Sequence, residues 1–125
     1  MNCTKRIISI HEYVLKANVT DEQFEQALQS AATRGLFNLP GLVDHHFLKG
    51  IKGARQGCYT AIWIYESQVA WEALWGPLDQ PRTKHAYPKS WQIWEEEVLA
   101  PLLTQHPDTI TFTSYIDLNS EWPDG

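Results

Sequence analysis

Basic residues, cysteine and long apolar runs are all scarce in this chain, and each shortage removes a class of protein. Ten Lys and Arg stand against fifteen Asp and Glu, a formal charge of -5. Nucleic acid and anionic membrane surfaces both require clustered cations, so neither is an expected partner. Two cysteines, Cys3 and Cys58, are too few for a disulfide framework and read as small core residues kept reduced. The N-terminal run IISIHEYVL is broken by His11 and Glu12, which makes it a poor secretory segment and too short to span a bilayer. The expected compartment is the cytoplasm. The acceptor patterns at Asn2-Cys3-Thr4 and Asn18-Val19-Thr20 are then chance matches. A Gly-rich phosphate loop, a nucleophile elbow and a supported Cys–His pair are missing as well.

What remains is an ordinary globular composition, 43% hydrophobic and 20% charged, in 125 residues. That length suits one domain, residues 1–125 with a polar tail at 119–125, able to bury roughly two-thirds of its unfolded surface. Four strand-like runs alternate with helical regions. The first strand is expected over about Arg6 to Leu15. Thr20 and Gln23 form a capping box ahead of a stripe of Phe24, Ala27, Leu28 and Ala31, which Gly35 closes. A Pro-Gly turn at residues 40–41 leads to a second strand, Leu42 to Lys49. Gly50, Gly53 and Gly57 then surround a hairpin loop holding Lys52 and Arg55. The third strand, Tyr59 to Glu66, runs into a helix capped by Ser67 and stopped by Gly76-Pro77. A polar, Pro-containing stretch follows. The last helix is expected to start at Ser90 and carry Trp91, Trp94, Val98 and Leu102 on one stripe, with Glu95, Glu96 and Glu97 as its solvated side. Pro101 must bend or end it. The last strand covers Thr109 to Leu118.

Strand, helix, strand, strand, helix, strand is the order of a ferredoxin-like α+β fold, a four-stranded antiparallel sheet with helices on one face. Alternation gives each strand two unlike sides. Ile8 and Ile10, and Ile62 and Ile64, form aliphatic sides expected to lie under the helices. The opposite sides carry Ser9, His11 and Tyr13; Tyr59, Trp63 and Tyr65; Thr113 and Tyr115. So many rings exposed would exceed the apolar patch a monomer tolerates. The expectation is a homodimer in which two ring-lined faces meet across a shared hollow. Adjacent His45 and His46 face opposite ways, and Asp44 with His46 lacks a third ligand, so no metal site is expected.

The run YTAIWIYESQVAWEALW (residues 59–75), followed by a His-containing loop and a short last strand, resembles the antibiotic-biosynthesis-monooxygenase-like family of dimeric α/β barrels. In that family the third strand typically ends in an aromatic residue followed by Glu-Ser or a similar pair, as Tyr65-Glu66-Ser67 does here. The resemblance covers about residues 6–118, and the longer Pro-rich stretch between Gly76 and Ser90 departs from it. It implies cofactor-independent oxygenases of polycyclic aromatics, haem-degrading enzymes or isomerases as alternatives. Under the first, His11 takes a proton from a phenol or enol, and Tyr13, Trp63, Tyr65, Trp75 and Tyr115 hold a small apolar or aromatic ligand, with no cofactor. Under the second, His85 binds haem iron and Trp75 packs on the ring, with His11 near where that branch places an Asn. A third reading has no catalysis and uses the aromatic face only as a dimer interface.

Overall fold

The computed structural model describes residues 5–122; Cys3 and the Asn2-Cys3-Thr4 pattern lie outside them. Four strands, β1 (Ile7–Tyr13), β2 (Leu42–Lys49), β3 (Tyr59–Tyr65) and β4 (Phe112–Ile116), form one antiparallel sheet in the order β2-β3-β1-β4. Helices α1 (Asp21–Thr33), α2 (Gln68–Trp75) and α3 (Lys89–Ile93) complete the split βαβ order, and α3 continues as a π-helical stretch, Trp94–Leu99. No helix among the described residues is long and apolar enough to cross a membrane.

The helix starts follow the sequence closely. Thr20 accepts from the Gln23 amide while the Gln23 side chain accepts from the Thr20 amide, and Asp21 and Glu22 place negative charge at the positive end of α1. The Ser67 hydroxyl accepts from the Ala70 amide at 3.1 Å. In the hairpin loop the Arg55 guanidinium folds back onto the Tyr59 carbonyl and pairs with Glu12 at 3.3 Å, fastening the β2–β3 loop to β1.

The two faces of the sheet are the reverse of the expected ones. Ile7, Ser9, Tyr13, Tyr59, Ala61, Trp63 and Tyr65 are buried beneath the helices, and Ile8, Ile10, Ile62 and Ile64 lie on the open side, only half-buried. Rings win the helix side because the helices bring rings to meet them. Phe24 of α1 packs on Tyr59 at 4.7 Å and on Tyr13 at 6.1 Å between centroids. Trp91 and Trp94 approach Trp63 edge-on at 5.0 and 6.4 Å. Each such ring removes about 150–250 Å² from water, more than an isoleucine can, so the wide gap between sheet and helices fills best with them. The ring-lined hollow between paired subunits is therefore corrected: that face is each protomer's own core.

The π turn carries a second correction. The Ala100 amide donates to the Glu95 carbonyl at 2.9 Å, five residues back rather than four. One extra residue in that turn shifts the apolar stripe, so Leu99 and Leu103 reach the core where Val98 and Leu102 were expected, and both of those are only half-buried. The helix ends just before Pro101.

Candidate functional site

Between the helix-side face of the sheet and the chain from Trp71 to Asp108 lies a cavity of about 490 Å³. Its floor is made by β1, β3 and β4. The register sets Ser9 opposite Ser114 and His11 opposite Phe112, and all four line the space together with Tyr65. The two serine hydroxyls share a 2.7 Å hydrogen bond. Its side wall is aromatic, from Trp71 and Trp75 of α2, Tyr87, and Trp91 of α3. Trp75 stands edge-on to Tyr87 at 5.1 Å and meets Trp91 at 5.2 Å.

The connector between α2 and α3, residues 76–88, forms the outer wall. Gly76 makes that possible. Its φ of 93° belongs to glycine, and a Cβ there would stand 2.7 Å from the Arg82 amide nitrogen. The chain folds back so closely that the Arg82 amide donates to the Trp75 carbonyl at 2.8 Å. Lys84 then fastens the connector, reaching Asp108 at 3.1 Å and Glu96 at 3.5 Å. Glu96, His106 and Asp108 gather their ligand atoms within 4.8 Å of one another; the Lys84 ammonium bridges the two carboxylates, and His106 pairs with both of them.

His11, Tyr65 and Trp75 reach this cavity; the other expected site residues do not. Tyr13 and Trp63 are fully buried in the core. The indole N–H groups of Trp63 and Trp94 face the Tyr13 hydroxyl without closing a bond of good geometry. Tyr115 pairs with Ile8 and points to the open side of the sheet, 51% exposed. His85 is exposed on a 3-10 turn (Lys84–Ala86) and lines only a smaller depression beside Gln92. His85 and Trp75 thus share no cavity, so the residues present do not fit the haem arrangement and no step is derived through that group. Asp44 and His46 pair at 3.2 Å on the open face, while His45 stacks on Trp63 on the other side at 5.6 Å.

The His11 imidazole touches the rings of Trp63, Trp91 and Phe112 at 5.7 to 6.1 Å and makes no hydrogen bond with the described residues. Burial among these rings pushes its pKa down to about 4, well below the neutral value expected from sequence. At neutral pH it is an uncharged ring with one donor and one acceptor, in the lining of the cavity. Burial also raises the Tyr65 phenol, with the Trp75 indole pulling weakly the other way.

Glu95 was missed by sequence reasoning. Expected on the solvated side with Glu96 and Glu97, it lines the cavity and is half-buried, while the other two are exposed. Burial first, then the charge of Asp108, lifts its pKa to about 7. The signal was in the spacing: Glu95 stands four residues after Trp91 and shares its helix face, while Glu96 and Glu97 turn away.

These two shifts act on stability with opposite signs. A histidine kept neutral costs stability as pH falls from 6.5 toward about 4. A carboxyl kept protonated costs stability as pH rises from 4.5 toward about 7. Between 4.5 and 6.5 the two slopes cancel. Relative to wild type, Glu95→Gln should make stability rise with pH across that interval and His11→Gln should make it fall, each by at most about 1.4 kcal/mol per pH unit. Urea denaturation at the two ends of the interval checks this; parallel behaviour of all three proteins would refute both shifts.

No protein-family profile matches the sequence, and no curated protein matches it. Solved structures do match in fold. A dabb family protein with a ferredoxin-like fold from Mesorhizobium loti aligns with a TM-score of 0.62 at 13% identity, covering 91% of this chain and 98% of that one. A proposed antibiotic biosynthesis monooxygenase from Caulobacter crescentus gives 0.61 at 12% identity over 93% and 92%. SnoaB, a cofactor-independent oxygenase from Streptomyces nogalater, gives 0.57 at 13% identity over 90% and 93%. With its β2-β3-β1-β4 sheet and helices on one face, the chain has the ferredoxin-like α+β fold of the antibiotic-biosynthesis-monooxygenase-like proteins.

Proposed function

We propose that the chain forms a homodimer whose protomers each bind a flat, largely apolar molecule in the cavity and act on it without a cofactor, as an oxygenase or isomerase. The observation that carries this reading is an imidazole with both nitrogens unpartnered, set in a pocket walled by rings. Trp71, Trp75, Tyr87, Trp91 and Phe112 offer faces and edges for stacking. His11 and the Ser9–Ser114 pair supply the few polar groups that fix orientation, the usual composition of a small-molecule site. Tyr65 also lines the cavity. An enolate formed there is electron-rich enough to react with dioxygen directly, and this fold carries oxygenase chemistry without a cofactor in SnoaB. The dimer, on this reading, uses the open aliphatic face of the sheet.

Titration calorimetry with 2-naphthol, a planar phenol of suitable size, tests the cavity. Binding in the micromolar range is expected, weakened about tenfold by Trp75→Ala through loss of one stacking wall. Heats no larger than dilution, or equal affinity in the variant, would reject the site.

A further inference from the structure

Two carboxylates line the cavity, and their surroundings differ. Asp108 is paired with Lys84 at 3.1 Å and His106 at 3.4 Å. Glu95 has no cation within ion-pair distance among the described residues, although both following glutamates do. Glu96 reaches His106 at 3.3 Å and Lys84 at 3.5 Å, and Glu97 reaches Arg34 at 4.0 Å. Glu95 also sits at the one backbone irregularity of the helix, the π turn closed through its own carbonyl. Four residues earlier, Trp91 lines the same cavity and turns its indole N–H toward the carboxylate. A half-buried carboxylate with no cation partner, held on Trp91's face of the helix against a ring-walled space, costs stability rather than adding to it.

We propose that Glu95 is the group that removes a proton from the bound molecule and returns it, which makes the substrate an enolisable ketone or phenol fused to an aromatic ring. This rests on the cavity reading above and adds its acid–base residue. The C–H or O–H bond of the substrate breaks, the proton passes to a Glu95 carboxylate oxygen, and the electron pair stays on the substrate as a ring-delocalised enolate. The neutral His11 N–H donates a hydrogen bond to the enolate oxygen, so His11 stabilises charge rather than holding the proton. Returning the proton to a different carbon gives an isomer with no other reactant. The groups facing Glu95 are Asp108 of the 107–109 turn and His106 that caps it, Glu96 beside it, Tyr13 of β1 and Tyr87 of the connector; Lys84 is bound between Asp108 and Glu96. Their balance, dominated by burial and Asp108, keeps both protonation states available near neutrality.

The test uses 2-tetralone, whose benzylic C–H next to the ketone exchanges with solvent. Proton NMR in deuterated buffer reads the exchange rate, and ligand-observed NMR reads binding. Wild type should accelerate exchange with an inflection near neutral pH. Glu95→Gln should bind within threefold of wild type yet lose about 100-fold or more in rate along with the inflection, and Glu95→Asp should recover part of the rate. His11→Gln should slow exchange and keep the inflection. Binding with wild-type exchange in Glu95→Gln would overturn the role of Glu95 and leave the cavity reading intact. Absence of binding by wild type would remove the cavity reading and this proposal with it.

Discussion

Replacing Trp63 by alanine should cost about 3 to 5 kcal/mol of folding stability, a large part of what a domain of this size possesses. The indole is fully buried. Around it stand the rings of His11, Phe37, His45, Phe47, Trp91 and Trp94 at 5.0 to 6.4 Å between centroids. These neighbours come from β1, β2, the chain after α1, and both halves of the last helix, so they cannot collapse together into the vacated space. A cavity would remain, and its cost adds to the lost transfer energy. Urea denaturation of the isolated variant reads the effect directly. Tyr115→Ala, on the open face, is the contrast and should stay within about 0.5 kcal/mol in the monomer. A variant at Trp63 as stable as wild type, or one that merely dissociates while keeping its fold, would contradict the position of this ring.

A charge on the open sheet face should do the opposite, leaving the fold intact and abolishing association. Ile8, Ile10, Ile62 and Ile64 lie there side by side through the β1–β3 pairing, flanked by Leu48 and Tyr115, each about half exposed. Covering each of the larger side chains is worth about 1.5 to 3 kcal/mol when burial becomes complete, so a second sheet laid on this one has ample driving force. Ile10→Asp with Ile62→Asp places two unpaired carboxylates at the centre of that contact, each costly to dehydrate. Light scattering at micromolar concentration should show a dimer for wild type and a monomer for the double variant, with dimer affinity at least about 100-fold weaker. Circular dichroism should be unchanged. A monomeric wild type would end the dimer reading; a dimeric double variant would move the interface elsewhere.

Element order was legible in the sequence because it depends on local chemistry. Thr20 with Gln23, Ser67 and Gly76 each act within one turn of chain, and all three stand where local rules put them. Face assignment was not legible, because it depends on what the helices bring. Ile62 and Trp63 are both good strand residues, and only the partners Phe24, Trp91 and Trp94 decide which side is inward. The clue was present in α3, whose stripe is itself tryptophan. Of the expected site, His11, Tyr65 and Trp75 share the cavity because two lie on the helix-side face of the sheet and the third on the helix that follows it. His85 was placed by spacing along the chain, and a 3-10 turn carries it away from Trp75. Glu95 was legible from its spacing, four residues after Trp91, and was masked by the two exposed glutamates beside it. What the π turn hid was the move of the stripe to Leu99 and Leu103, because such a turn leaves no mark in side-chain periodicity.

The floor and walls of the cavity come from a single chain, so on the proposed reading each subunit of a pair completes its own pocket. Two occupied pockets per pair would fill independently, with a simple hyperbolic isotherm and a ratio of one molecule per chain. Association would then serve to shield the isoleucine surface from water, and an engineered monomer should keep its full complement of bound ligand.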